Sequence, residues 1–144
     1  MLTKRFVLAT IGLMLSVPAS TGVASAGDTR VLVAHLDGGN ELPGPGDPDA
    51  FGSATVTLVT ATSLCATITV QNLGAAATAA HIHTGDAGVA GGVFVPLAVN
   101  GTVPFRIASC VVGLPAATIT ALRSNPEGFY VNVHTAAFPG GAVR

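Results

Sequence analysis

Three histidines are the side chains of this sequence best suited to chemistry. His81 and His83 stand two positions apart in a β-prone segment, so a strand would project both imidazoles from one face and Ile82 from the other. His134 lies in a later strand-like segment and can join them if the two strands are neighbours. Neutral imidazoles are common ligands of copper and zinc. The sequence therefore predicts a candidate copper or zinc site, with structural hydrogen bonding to the glycine-rich loop 85–92 as the alternative.

Two further side chains are candidates to orient His134. Asn132 and Tyr130 lie two and four positions before it, on the same face of the predicted strand. Residues that contact a metal-binding histidine fix its orientation, so both are predicted as positioning residues, with ordinary packing and sheet-surface hydrogen bonding as the alternative. His35 shares a face of the first predicted strand with two valines, which predicts a half-buried structural histidine, with membership of the histidine site as the alternative.

Other catalytic chemistries lack residues in this sequence. There is no G-x-S-x-G motif, no phosphate-binding loop, no acidic pair on one strand and no catalytic cysteine with a histidine partner. We therefore assign no catalytic residue, and a binding or structural role is favoured over an enzyme. Only 9% of the residues are charged and the formal net charge is −1, so neither nucleic acid nor an anionic membrane surface is an expected partner.

The beginning of the chain has the organisation of an export signal. Lys4 and Arg5 precede a largely apolar run at 6–17, and the small residues A-S-A end the segment. The run is shorter than the ~20 apolar residues that a membrane-spanning helix needs. The pattern predicts a cleaved signal peptide at 1–26, with a retained N-terminal anchor as the alternative. The remainder, 27–144, has the length of one domain that is secreted or resides in the periplasm or cell envelope, where an extracellular protein or envelope component is the expected partner.

The two cysteines, Cys65 and Cys110, both follow the predicted signal peptide. In an exported protein such a pair is most simply a disulfide, with two buried free thiols as the alternative. Their spacing is not the Cys-x-x-Cys of redox enzymes. The pair is therefore predicted to stabilise the fold.

Strand signals recur along the chain at short spacing, separated by Gly, Pro and Asn turns. Polar residues alternate with apolar ones in the period typical of half-buried strands, and one short helix is predicted at 115–123. The predicted strands cover 30–36, 52–60, 64–71, 78–83, 93–99, 102–112 and 129–135, with a final strand beginning at Gly140. Seven or eight antiparallel strands favour an all-β, Greek-key-like sandwich or barrel. The Pro-rich loop 41–51 is the one candidate binding edge.

Several segments resemble the CHRD domain, a family named for the secreted developmental protein chordin. The similar segments are L-D-G-G-N-E-L-P at 36–43, G-S-A at 52–54, A-H-I-H-T-G at 80–85 followed by Gly88, Gly91 and Gly92, and G-F-Y-V-N-V-H-T at 128–135. Family members tend to continue with G-E-I-R-G-Q-L, whereas this chain has G-G-A-V-R at 140–144, so the last strand is shortened. The resemblance implies a bacterial-type, secreted single-domain member with a β fold. In chordin the domain is associated with growth-factor binding.

A shorter segment resembles the copper/zinc superoxide dismutases. H-I-H-T-G-D at 81–86 is similar to their H-V-H-x-x-G-D segment, and His134 followed by G-G-A-V-R at 140–144 has the order of their later copper-binding histidine and functional arginine. Counterparts of their zinc-site histidines are missing. The resemblance implies an alternative to the binding module, a copper-dependent redox enzyme.

Overall fold

The computed structural model describes residues 29–99 and 106–144. The predicted signal peptide and the first four residues of the predicted strand at 102–112 lie outside these ranges. The described part contains seven strands: β1 (Arg30–Asp37), β2 (Phe51–Thr60), β3 (Ser63–Gln71), β4 (Ala77–Thr84), β5 (Val93–Leu97), β6 (Arg106–Val112) and β7 (Phe129–Thr135). One helix, α1 (Ala116–Ser124), and 3₁₀ turns at Gly38–Asn40 and Pro126–Gly128 complete it. The predicted helix and the predicted all-β class are confirmed. Within these ranges no helix has the length and apolar character to cross a membrane.

The strands form two antiparallel sheets. The large sheet has the order β1-β2-β3-β6, and the small sheet has the order β5-β4-β7. The alternation of threonine with apolar residues in β2 and β3 places one set of side chains inside, where Leu58, Leu64 and Ile68 are almost fully buried. Ile82 and Val133 face them from the small sheet. The two inner faces and α1 therefore enclose one hydrophobic core.

The predicted disulfide between Cys65 and Cys110 is confirmed. The two residues are register partners in β3 and β6, so the bond joins neighbouring strands. Their near neighbours Leu64 and Ala66 point into the core, which places both cysteines on the outer face of the large sheet.

The last residues close one end of the sandwich between β7 and β1. Val143 forms an isolated bridge with Val133, and the amide of Asp37 donates to the carbonyl of Arg144 over 2.9 Å. The final strand predicted from Gly140 is present only as backbone pairing of residues 142–144 with β7 and β1, without a regular strand. Gly141 donates to the carbonyl of Phe138 in a turn, so this pairing begins at Ala142.

The prediction that His35 is half-buried is also wrong. His35 is exposed, together with Val31 and Val33, because β1 is an edge strand whose odd-numbered residues point away from the core. The sequence pattern marks two faces of this strand without showing that its outer face is uncovered.

Candidate metal centre

The pairing of β4 with β7 brings His81, His83 and His134 together on the outer face of the small sheet. His81 lies opposite Asn132, and His134 is the next residue along that face, diagonal to His81. One nitrogen of each imidazole lies within 4.8 Å of the others, and these residues are the one such group of three within the described ranges. The strand of His134 therefore does pair with the strand of His81 and His83, as the predicted cluster requires.

The closest contact in the cluster joins His81 Nδ1 and His134 Nε2, which are 3.1 Å apart. Two nitrogens bound to one copper or zinc ion at about 2.0–2.1 Å are separated by about 2.8–3.4 Å in geometries between square and tetrahedral. The observed separation already lies in this range. His83 lies beside them, with 5.4 Å between its ring centre and that of His81.

Backbone carbonyls fix the orientation of two of the three rings. His83 Nδ1 donates to the carbonyl of Gly91, and His134 Nδ1 donates to the carbonyl of Pro139, both over 3.0 Å. A carbonyl accepts and never donates, so each Nδ1 carries the proton and each Nε2 carries a lone pair. His83 Nε2 is buried without a partner, which is the condition of a ligand nitrogen before its ion binds.

The surroundings favour the neutral form of His81 and His134. Burial lowers the pKa of His81, and the neighbouring His134 and His83 lower it further. Burial also lowers the pKa of His134, against the opposing effect of its hydrogen bond to Pro139. Neutral imidazole is the form that binds a metal ion, so the cluster is ready to bind at neutral pH.

The loop between β4 and β5 is attached to the cluster at Gly91. The amide of Gly91 donates to the hydroxyl of Tyr130 over 3.2 Å while its carbonyl accepts from His83. A side chain at this position would overlap the carbonyl oxygen of Thr84, so only glycine allows the close approach. The glycine-rich composition of the loop thus has a direct role in holding His83.

Tyr130 covers one face of His83, and Arg144 lies in turn over the Tyr130 ring. The ring of Tyr130 stacks on His83 with 5.1 Å between ring centres and 17° between planes. The guanidinium of Arg144 lies 4.6 Å from the centre of the Tyr130 ring and donates to the carbonyl of Val89 over 3.1 Å. Tyr130 was predicted to orient His134, and its ring and hydroxyl instead contact His83, Arg144 and the loop.

Asn132 connects the same face to a buried carboxyl group. Its amide donates to Glu41 Oε2 over 3.3 Å, and both residues are less than 5% exposed. Burial raises the pKa of Glu41 to about 7, although Arg144, the bond from Asn132 and a backbone bond at Leu42 oppose this change. Sequence reasoning placed Glu41 in a candidate binding loop and did not select it, because strand periodicity does not show what a loop residue covers.

A separate cavity of about 520 Å³ lies beyond Tyr130. His35, Asp86, Tyr130 and Arg144 are among its lining residues, and the three clustered histidines are not. His35 thus belongs to this cavity and stays apart from the cluster.

Comparison with known proteins assigns the fold to a family. The sequence model of the CHRD domain matches residues 32–144, most of the chain. This protein belongs to the CHRD domain family. The match confirms the resemblance and covers every residue of the histidine cluster of this CHRD domain. No curated protein and no solved structure gave a match.

Proposed function

We propose that this CHRD domain is an exported binding module of the cell envelope or extracellular space that holds a copper or zinc ion through His81, His83 and His134. One observation carries the metal proposal: three imidazole nitrogens lie within 4.8 Å of one another, and backbone carbonyls direct two of the rings. Without an ion, the N–H of His81 Nδ1 donates a hydrogen bond to His134 Nε2. For an ion to bind both nitrogens, the His81 proton would move to Nε2 of the same ring, which leaves a lone pair on Nδ1.

Export is supported by two independent features. The beginning of the chain has the pattern of a signal peptide, and the two cysteines are joined in a disulfide, a bond that persists in oxidising compartments. An extracellular protein or a component of the envelope is the proposed partner. The absence of a thiolate among the candidate ligands agrees with a site that works outside the cytoplasm.

The experiment is elemental analysis of the exported, tag-free protein after copper and zinc loading. The comparison is with a variant in which His81, His83 and His134 are replaced by alanine, and the matched control is His35→Ala, which removes the one histidine outside the cluster. Near-stoichiometric metal in the wild type and in the control, lost from a triple variant with an unchanged circular dichroism spectrum, supports the proposal. Equal metal in all three proteins, or none in the wild type, contradicts it.

The second candidate function is a copper-dependent redox enzyme of the superoxide dismutase type. His81 favours it, because this ring is only partly buried and leaves the centre a side that faces solvent. A binding module keeps its fold and partner when the histidines are replaced, whereas the enzyme loses turnover. Superoxide consumption by the copper-loaded protein, absent from the triple variant, would favour the enzyme.

A further inference from the structure

β1 forms one edge of the large sheet, and on its free side only its last residue has a backbone partner within the described ranges. The amide of Asp37 donates to Arg144 over 2.9 Å, and the amide of Arg144 donates back to Asp37 over 3.3 Å, which is the pattern of an antiparallel pair. β1 is the edge strand and pairs with β2 on its other side. The Asp37 and Arg144 pair is therefore the first rung of a ladder along the free edge of β1.

The next rungs of this ladder are vacant among the described residues. The backbone groups of a strand alternate in direction, so the amides and carbonyls of Val31, Val33 and His35 point the same way as those of Asp37, away from β2. None of these three residues has a backbone hydrogen bond to a described residue outside the β1 and β2 ladder. The pairing of β1 with β2 has no register shift, so the alternation is uninterrupted.

The free edge also lacks the features that usually block strand pairing. Proteins protect such edges with proline, a charged side chain or a bulge. β1 has charged residues at its two ends, Arg30 and Asp37, and residues 31–36 between them contain none of these features apart from His35. Val31 and Val33 are 56% and 65% exposed on the outer side. The edge is thus open to another extended chain.

A small apolar cavity lies beside this edge, on its inner side. It has a volume of about 80 Å³, and its lining includes Leu32, Ala34, Leu122, Pro126 and Phe129. A residue paired opposite Leu32 or Ala34 would point to the same side of the sheet as they do. Alternate side chains of an added strand would therefore face this cavity. Because the cavity is small and apolar, small aliphatic side chains fit it best.

We propose that the free edge of β1 binds an extended segment of a partner protein, about five residues long, which continues the ladder that Asp37 and Arg144 begin and places small aliphatic side chains at the apolar cavity. The proposal rests on the binding role proposed above and names its kind of partner. It does not depend on the metal ion.

A second copy of this chain fits the edge less well. In a two-fold antiparallel pairing of two β1 strands about Val33, residue 29 of each copy would lie opposite Asp37 of the other. That position is already occupied by Arg144. A short peptide that ends before Asp37 meets no such obstacle.

The test is binding of a fluorescein-labelled peptide with blocked ends, Thr-Val-Thr-Val-Thr, measured by polarisation. A chelator is present throughout, so the result is separate from the metal analysis. Val33→Pro removes an amide that points away from β2, and an edge strand accepts proline there. Val33→Ala is the matched control because it removes the same side chain and keeps the amide. We expect the alanine variant to bind within twofold of the wild type and the proline variant to bind about tenfold more weakly or not at all.

A second measurement keeps the proposal open to contradiction if the proline variant does not fold. Hydrogen exchange in the wild type should slow at the amides of Val31, Val33 and His35 on adding peptide, whereas Leu32 and Ala34 are already bonded to β2 and should not change. A peptide methylated at the amides that face β1 should produce no slowing. No binding at millimolar peptide, uniform slowing, or equal binding by the folded proline variant would overturn the proposal. Slowing that depends on protein concentration without peptide would overturn it in favour of a second copy.

Discussion

The outer faces of the two sheets share the same strand alternation and differ in what covers them. The outer face of the large sheet carries threonine, serine and valine with the Cys65–Cys110 bond, and its side chains are mostly exposed or half-buried. The outer face of the small sheet carries the three clustered histidines with Tyr130 and Asn132, and Asn132 is only 3% exposed. Polar side chains are thus buried on one face and solvated on the other.

Covering segments cause this difference. The small sheet's face is contacted by Gly91 of the loop after β4, by Glu41 of the loop after β1 and by residues 139–144. Every buried side-chain nitrogen or oxygen without a partner in the described ranges belongs to this region: Glu41 Oε1, His83 Nε2 and Asn132 Oδ1. Unpaired buried polar atoms are rare and costly, so their concentration here supports the binding role proposed for this face.

The largest effect expected on stability comes from the large sheet. Replacing Cys65 and Cys110 by alanine opens a covalent loop with a sequence separation of 45, which should lower the free energy of unfolding by about 4 kcal/mol on the chain-entropy account. Urea unfolding of the variant and the wild type measures this. Because the bond lies on the uncovered face, metal binding by the folded variant should be unchanged. A loss of metal at equal foldedness would contradict the separation of the two faces.

The next effect concerns the small sheet. His83→Ala removes the ligand whose Nε2 is buried and unpaired, and we expect metal affinity to fall about 100-fold or more, which exceeds the effect usual for residues that only orient a ligand. Competition with a chromogenic chelator measures this affinity. His35→Ala is the control on the exposed edge of the large sheet and should leave the affinity unchanged. Equal losses in both variants would show non-specific binding.

Glu41, which covers the outer face of the small sheet, should make the stability of the fold depend on pH. Burial raises its folded pKa to about 7 from the ordinary value of 4.5, so its contribution to stability is greatest below pH 4.5 and is lost as the pH rises through 7. Glu41→Gln should abolish this loss, a change on the order of 2 kcal/mol between pH 4.5 and 8. Urea unfolding at each pH measures it. The matched control is Glu127→Gln, which replaces an exposed carboxyl and should follow the wild-type profile.

The smallest effect should come from the uncovered face. Thr69→Ala removes an exposed side chain from β3, and we expect the free energy of unfolding to change by less than about 0.5 kcal/mol. Asn132→Ala is the comparison on the covered face. It leaves Glu41 Oε2 without its donor and should cost about 1–3 kcal/mol. Thermal unfolding of the two variants compares the faces directly, and equal costs would contradict the role given to the covering segments.

The histidine cluster could be predicted because it depends on short-range rules. His81 and His83 share a face through strand periodicity, and His134 joins them once β7 pairs with β4. The disulfide followed from the predicted compartment, and α1 followed from its flanking prolines. These features need only the local pattern and one strand neighbour.

The covering residues could not be predicted, because loops decide them. Glu41 and Arg144 reach the small sheet through connections without periodicity, and the carbonyl of Pro139 carries no sequence signal for the ring it binds. Hydrogen bonding to loop 85–92 was the predicted alternative to a metal site, and His83 does make such a bond, to Gly91. The error on His35 has the same origin. Alternation separates the two faces of β1, and only the arrangement of the sheets shows that nothing described covers its outer face.

Arg144 has two partners that belong to different parts of the molecule. Its backbone joins the end of β1, and its side chain lies on the ring that stacks against His83. Any local opening that separates this corner of the sandwich would also remove the cover of that histidine. If an ion binds at the centre as proposed, opening of this corner should shorten its residence time, so the exchange rate of the ion would report how often the corner opens.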